Sequence, residues 1–375
     1  MSGSAARLIR LALRNFRNLT DLDLAVPPDG LVVIGENGQG KTNLLESIHY
    51  LQILRSVRGA RDQDLVRFGA NGFHVGARVE TDSCHDVGVG FDRAGKQKRV
   101  RLDGTVKDRL SDALGALPSV MFSPADVELV AGAPSARRRF LDIMLALTVP
   151  GYLSALQRYR AALARRNAAL RGYGGNTRGA DAAVAVWEPP LAEHGALLWT
   201  ERRAWVDAVG ARFEALCRDI GETSRICMRY SSTLRSTDDP ASSLALALRT
   251  ERRHDIRRGL THAGPHRDDV VLTLDARELR TFGSAGQQRT VAIALRLLEA
   301  ATFSAHTGRA PVFLLDDPFA ELDTRRSARI LGLLAHDGLG QTILAVPRES
   351  DIPLQLTRLT RVFVADGAIS SRSVA

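Results

Sequence analysis

Three segments of this sequence carry residue types that could handle a polyphosphate. The first is Gly35-Glu36-Asn37-Gly38-Gln39-Gly40-Lys41-Thr42, which follows an apolar run and leads into a helix-like one. Glycines let a backbone wrap a phosphate with its N–H groups pointing inward, and a helix N-terminus adds partial positive charge. A lysine at that point reaches β- and γ-phosphate oxygens, and the threonine offers a hydroxyl to Mg2+. The second is Val312-Phe313-Leu314-Leu315-Asp316-Asp317, an apolar strand that ends in two acids. A buried carboxylate needs a partner. Beside a phosphate loop that partner is Mg2+, held by Asp316, while Asp317 is placed to orient or deprotonate an attacking water. The third is Ser284-Ala285-Gly286-Gln287-Gln288. Ser284 with Gln287 three residues on is a capping box that starts a helix. The same hydroxyl, with the Gly286 backbone and Gln287, also suits a γ-phosphate contact. Lys41, Ser284 and Asp317 are the candidate catalytic residues.

The elements that must position these groups can be read from periodicity. Leu8 to Val33 is strand-like, with Leu22, Leu24 and Val26 on one face and Pro27-Pro28-Asp29-Gly30 as a turn. Leu31 to Ile34 is a buried strand, and Asn43 to Leu54 is a helix with Leu44, Leu45, Ile48 and Leu51 on one stripe. Phe73 to Leu102 alternates between Gly-rich turns, as an antiparallel sheet does. From Arg137 to about Leu260 the chain is rich in Ala, Leu and Arg and reads as helical, with a loop over 172–177. Strands return at Val270 to Leu274, Val312 to Leu315, Thr342 to Val346 and Arg361 to Val364, with a helix from Gln287 to about Phe303. The expected architecture is α/β. A discontinuous nucleotide-binding head covers residues 1–110 and 261–375, and a mostly helical lobe is inserted at 111–260.

Composition narrows the class. A chain of 375 residues, 45% hydrophobic, can bury one or two sizeable cores. It has no apolar run long enough to span a membrane, and its first residues do not form a signal-peptide core. The widely spaced Cys84, Cys217 and Cys227 suit a reducing cytoplasm and no zinc site. A net charge of +9 favours polyanion partners, although an Arg-heavy composition also reflects codon usage. Between Arg137 and Arg178 lie nine arginines (137, 138, 139, 158, 160, 165, 166, 171 and 178) and one acid, Asp142. Such helices suit sequence-independent contacts to duplex DNA phosphates. A solvated helix face, or an internal role for Arg137 to Arg139, is the alternative.

The order of motifs decides the class of ATPase. Phosphate loop, Ser-x-Gly-Gln, apolar strand with Asp316-Asp317, then Glu321-Leu322-Asp323 is the ABC-ATPase order. In that class the Ser-Gly motif of one subunit completes the ATP site of another. Ser284 follows Lys41 at far too great a distance for a transporter subunit, and sustained heptads for a long coiled coil are missing. The chain closely resembles the RecF family of bacterial recombination-mediator ATPases. The matching segments are Asn15-Phe16-Arg17-Asn18, Gly35 through Glu46, Phe122-Ser123-Pro124 and Arg137 through Asp142. They continue with Gly264-Pro265-His266-Arg267-Asp268-Asp269, Gly286 through Thr290, and Leu315-Asp316-Asp317 with Glu321-Leu322-Asp323.

The resemblance implies an ABC-type P-loop head and ATP-dependent homodimerisation. It also implies binding to duplex DNA at single-strand gaps, and work with RecO and RecR in loading RecA during DNA repair, replication and the SOS response. It adds Arg17 and Asn43 to the ATP contacts. Asp317 in place of a transporter's glutamate implies slow, DNA-stimulated hydrolysis. Ala345-Val346-Pro347-Arg348 departs from the family's hydroxyl residues and from the transporters' histidine. That departure supports an alternative, an ATP-gated scaffold that does not hydrolyse and acts outside RecA loading.

Overall fold

The structure, a computed structural model, describes residues 5–172, 177–234, 238–319, 322–336 and 340–371. Most of the expected loop over 172–177, and Ala320 and Glu321, lie outside the described residues. The chain divides into two units, Met1–Asp126 with Ile293–Ala375, and Val127–Ala292.

In the first unit, Arg7–Arg14 (β1) buries Leu8, Leu11 and Leu13 and turns Arg10 and Arg14 outward. A bulge between Leu8 and Arg10 lets Leu8 and Leu11, three apart, share the buried face. Leu22–Ala25 (β2) pairs with β1, and Gly30–Ile34 (β3) is buried along its whole length. Helix α1, Lys41–Ile53, is buried nearly all round, including Glu46, His49 and Gln52. Gly72–Glu80 (β4), Cys84–Asp92 (β5), Gln97–Leu102 (β6) and Thr105–Lys107 (β7) complete an antiparallel sheet ordered β2-β1-β4-β5-β6-β7. Phe16, Tyr50 and Phe73 meet edge to face under it, with ring centroids 5.3 to 6.0 Å apart. Each such pair adds about 0.5–1.5 kcal/mol beyond its buried area. Ser119–Phe122 (β8) ends this stretch.

The second unit holds helices Pro134–Thr148, Tyr152–Gly172, Thr177–Ala185, Glu188–Ile220 and Pro240–Arg258. Asp239 caps the last of these, accepting from the Ser242 N–H at 2.9 Å, and Gly259 ends it at φ 68°. Ile226–Ser231 (β9), Asp269–Leu274 (β10) and Arg277–Glu278 (β11) form a sheet ordered β11-β10-β9. The helix Ala285–Thr307 starts in this unit and ends in the first.

Returning to the first unit, Val312–Asp316 (β12) and Thr342–Val346 (β13) are wholly buried. With Thr360–Ala365 (β14) and Ala368–Ser371 (β15) they form a second sheet, ordered β15-β14-β3-β13-β12-β8. All its pairings are parallel except β14 with β15. Strands covered on both faces read as unbroken apolar runs, which is the pattern of β3 and β12. Gln341 ties the two sheets together. Its amide donates to the Leu8 and Pro27 carbonyls at 2.9 and 2.7 Å and accepts from the Leu8 N–H at 2.6 Å.

The sequence places its joints at 110 and 260, whereas the two units part after Asp126 and after Ala292. β8 lies beyond residue 110, yet it pairs with β12 in the parallel sheet. At the other joint, β10, β11 and Ser284 belong to the second unit. That unit therefore holds a sheet besides its helices.

Candidate nucleotide-binding site

Parallel topology brings the carboxyl ends of β3, β13 and β12 to one edge of the sheet, where open α/β sheets receive ligands. β3 runs into Gly35, whose N–H donates to the Val346 carbonyl at 3.3 Å. A Cβ at Gly35 would lie 2.4 Å from the Val364 carbonyl oxygen. Gly40 turns the chain into α1 at φ 121°, and a Cβ there would meet Leu19 at 2.9 Å and Asn18 at 3.0 Å. Only glycine fits such a place. No side chain caps α1, so its first N–H groups stay available to an anion.

Lys41 is buried, and its ammonium donates to the Gly35 and Glu36 carbonyls at 2.5 and 2.8 Å. Burial pulls its pKa below the usual lysine value, while Asp316 and Asp317 oppose the shift. Thr42 points across to β12. Its hydroxyl lies 2.8 and 3.0 Å from the two oxygens of Asp316. Burial, and next to it the Asp317 charge, raise the Asp316 pKa against the pull of Thr42 and Lys41. Asp317 is half-buried at φ 43°, in the left-handed region, and its N–H donates to the Ala345 carbonyl at 3.0 Å. Strained backbone of this kind clusters at functional sites.

Around the loop, Glu36, Asn37 and Gly38 are exposed. Asn18 donates to the Gly38 and Gln39 carbonyls at 3.4 and 3.2 Å and accepts from the Asn43 amide at 2.8 Å. Gln39 is tied to the β14–β15 turn, its side-chain oxygen accepting from the Asp366 N–H at 2.5 Å. Arg17, itself left-handed at φ 57°, makes two 3.1 Å bonds to the fully buried Glu46 on α1. Glu46 also takes the Ser56 hydroxyl at 2.5 Å and Arg58 at 3.4 Å. Arg58, Phe68 and Asp366 lie outside every motif of the sequence, and Glu46 enters only as the last residue of the matching segment, with no role of its own. Phe68, an aromatic between Arg67 and Gly69 in a polar turn, was the readable signal among them.

Ser284, Gly286 and Gln287 lie in the second unit. The capping box forms there. The Ser284 N–H donates to Gln287 Oε1 at 2.9 Å, and the Gln287 N–H donates to Ser284 Oγ at 3.3 Å. The Gln287 amide also reaches Glu222 at 3.2 Å. Ser284 is exposed, and its hydroxyl accepts from the helix, which leaves its proton for another acceptor. Beyond β13, Arg348 is exposed and bonds Asp351 at 3.2 Å, as in a strand-ending turn. Among the described residues, no group of three or more His, Cys, Asp or Glu could hold a metal ion. The metal reading therefore rests on Thr42 and Asp316.

The arginine-rich stretch divides, and the internal role given as an alternative for Arg137 to Arg139 holds for Arg137. Arg137 is buried and grips both oxygens of Asp269 at 2.8 Å. Arg138 donates to the Asp268 carbonyl at 2.7 Å, and Arg160 to Asp142 at 2.9 Å. Arg166 is fully buried and binds Asp255 at 2.7 Å and Glu188 at 3.1 Å. Arg158, Arg165 and Arg171 are exposed. The segment Gly264 to Asp269 belongs to the same internal network. Half-buried His266 sits between the Tyr159 hydroxyl at 2.6 Å and the Thr261 carbonyl at 3.0 Å. Chiefly through burial, its pKa is pushed down to about 4.

The family model described as "RecF/RecN/SMC N terminal domain" matches residues 7–371. A curated relative from Chloroflexus aurantiacus, called DNA replication and repair protein RecF, is 37% identical over 389 residues. The match covers 96% of this chain and 98% of that one. The solved structure of the recombination mediator protein RecF-ATP in the RecFOR pathway is 26% identical. It covers 99% of each chain with a TM-score of 0.89. An Smc head domain from Pyrococcus furiosus shares the fold at a TM-score of 0.56 and 15% identity, covering 99% of this chain and 96% of that one.

Proposed function

Because the chain belongs to the RecF family of DNA replication and repair proteins, we propose that it binds ATP on the loop Gly35 to Thr42 and acts as an ATP-gated DNA-binding protein. The observation that carries this reading is the contact between Thr42 and the buried Asp316 beside Lys41. The Lys41 ammonium would exchange the Gly35 and Glu36 carbonyls for β- and γ-phosphate oxygens, which makes stronger, charge-assisted bonds. Thr42 and Asp316 fit Mg2+. They are hard oxygen donors 2.8 Å apart, and a cation held there would favour the ionised carboxylate that burial opposes. Mg2+ bound there would neutralise charge on the phosphates.

Asp317 would orient the attacking water. Its side chain is shorter than a glutamate's, which supports slow turnover. Ser284, Gly286 and Gln287 of a second copy would complete the γ-phosphate shell, so that ATP joins two chains. The exposed Arg158, Arg165 and Arg171 supply cations for duplex DNA near single-strand gaps. RecO, RecR and RecA are the partners this reading implies, and the cytoplasm is its place. No helix among the described residues is long and apolar enough to cross a membrane.

One observation favours a second reading. Arg348 is tied to Asp351, and Ala345 to Arg348 offers neither hydroxyl nor imidazole to a γ-phosphate. An ATP-gated scaffold that does not hydrolyse would need neither. ATPase rates with and without gapped DNA, for wild type and Lys41→Met, separate the two. DNA-stimulated turnover lost in Lys41→Met supports the first. ATP-driven dimerisation without turnover supports the second, and neither behaviour sinks both.

A further inference from the structure

Phe68 is fully exposed, at 102% of its reference area. Single exposed apolar side chains are common on protein surfaces, so it is the place of this one that carries meaning. Its place is specific. It lines an open cleft of about 670 Å3 together with Gly38, Gln39 and Asn43 of the phosphate loop, and with Arg17 and Asn18. The turn that presents it is braced. The Arg17 N–H donates to the Leu65 carbonyl at 2.7 Å, and the Arg67 N–H to the Asn15 carbonyl at 2.9 Å. Phe16 and Val66 bridge between them, and Leu65 and Val66 are buried. The Ala70 N–H closes the turn onto the Arg67 carbonyl at 3.0 Å, with Gly69 at φ 82°. Arg93 holds the outer side through the Gln63 carbonyl at 3.1 Å. The backbone of the turn is therefore fixed, and the ring it presents is bare, at the rim of a cleft that borders the phosphate loop.

We propose that Phe68 is the stacking platform for the base of the nucleotide whose phosphates bind the glycine-rich loop. This rests on the ATP reading above. Phosphates held at Gly38 to Asn43 leave the ribose and base to run along the cleft that Phe68 ends. Every base offers a π-face to an aromatic ring, so the contact adds affinity without choosing between purines. Bracing the turn beforehand removes the ordering cost that a mobile loop would carry on binding.

The test is calorimetric titration of the full chain with MgATP and with magnesium tripolyphosphate, which has no base. Wild type, Phe68→Ala and Phe68→Trp are compared. Phe68→Ala is expected to weaken MgATP roughly tenfold and leave tripolyphosphate unchanged, and Phe68→Trp to bind MgATP like wild type. Equal MgATP affinity in wild type and Phe68→Ala would overturn the assignment. So would a parallel loss of tripolyphosphate binding. A wild type that binds neither ligand removes the ATP reading itself, and the Phe68 assignment with it.

Discussion

The Thr42 hydroxyl donates to the Asp316 carboxylate at 2.8 Å, joining residues 274 positions apart. The contact exists because β13 alone separates β3 from β12 in the parallel sheet. It places the start of α1 against the end of β12. Asp316→Asn keeps the shape and removes the charge. The variant is expected to fold as wild type and to lose the Mg2+ dependence of ATP binding. Its turnover should fall by about two to three orders of magnitude, as when one preorganised electrostatic group is removed. An Mg2+ titration followed by an ATPase assay checks both. Unchanged turnover would remove Asp316 from the site.

The buried and the exposed arginines separate in a second measurement. Arg166 and Asp255 are both fully buried and bonded at 2.7 Å. Removing one partner strands the other. Asp255→Ala is therefore expected to lose about 3–5 kcal/mol in urea unfolding. Arg158→Ala, on the exposed side of the same helix as Arg166, is expected to unfold as wild type. If Arg158 meets DNA phosphate, its variant lowers the salt slope of DNA binding by about one. A slope equal to that of wild type would take Arg158 out of the DNA interface.

Acid should loosen the fold before most carboxylates titrate. The His49 ring is fully buried against Ser119, and burial, with Arg296 nearby, pushes its pKa down to about 3. His266 is held near 4, mainly by burial. An unfolded histidine titrates near 6.5, so between that pH and the folded values the unfolded chain binds more protons. Stability is therefore complete above about pH 6.5 and falls as pH drops toward 4. Melting curves across this range should show the decline, and His49→Gln should flatten its share. A His49→Gln profile as steep as wild type would contradict this.

Much of the head could be read in the residues themselves. β3 and β12 are apolar runs with chemistry at their ends, and the lysine and two aspartates followed from polyphosphate chemistry alone. β8 stayed hidden because a serine and three apolar residues are too short a run to show a period, and β9 because it interrupts a stretch dominated by helical composition. Arg166 looked like its exposed neighbour Arg165 because its partners, Glu188 and Asp255, sit 22 and 89 positions away. Nothing local in a sequence marks such a pairing. Glu46 was hidden the same way. On a helix surface it would be solvated, but here Arg17 and Ser56 close over it.

The central claim is that ATP joins two copies, with Ser284 of one facing the γ-phosphate held by Lys41 of the other. Ser284→Asp tests it cleanly. Aspartate caps a helix as well as serine does, so the box with Gln287 survives, but its charge repels a phosphate. The measurement is the sedimentation of wild type and Ser284→Asp with MgATP, alongside direct ATP binding. The account predicts an ATP-dependent dimer for wild type, and a monomer for Ser284→Asp that still binds ATP. A Ser284→Asp protein that dimerises with ATP as wild type does would contradict it.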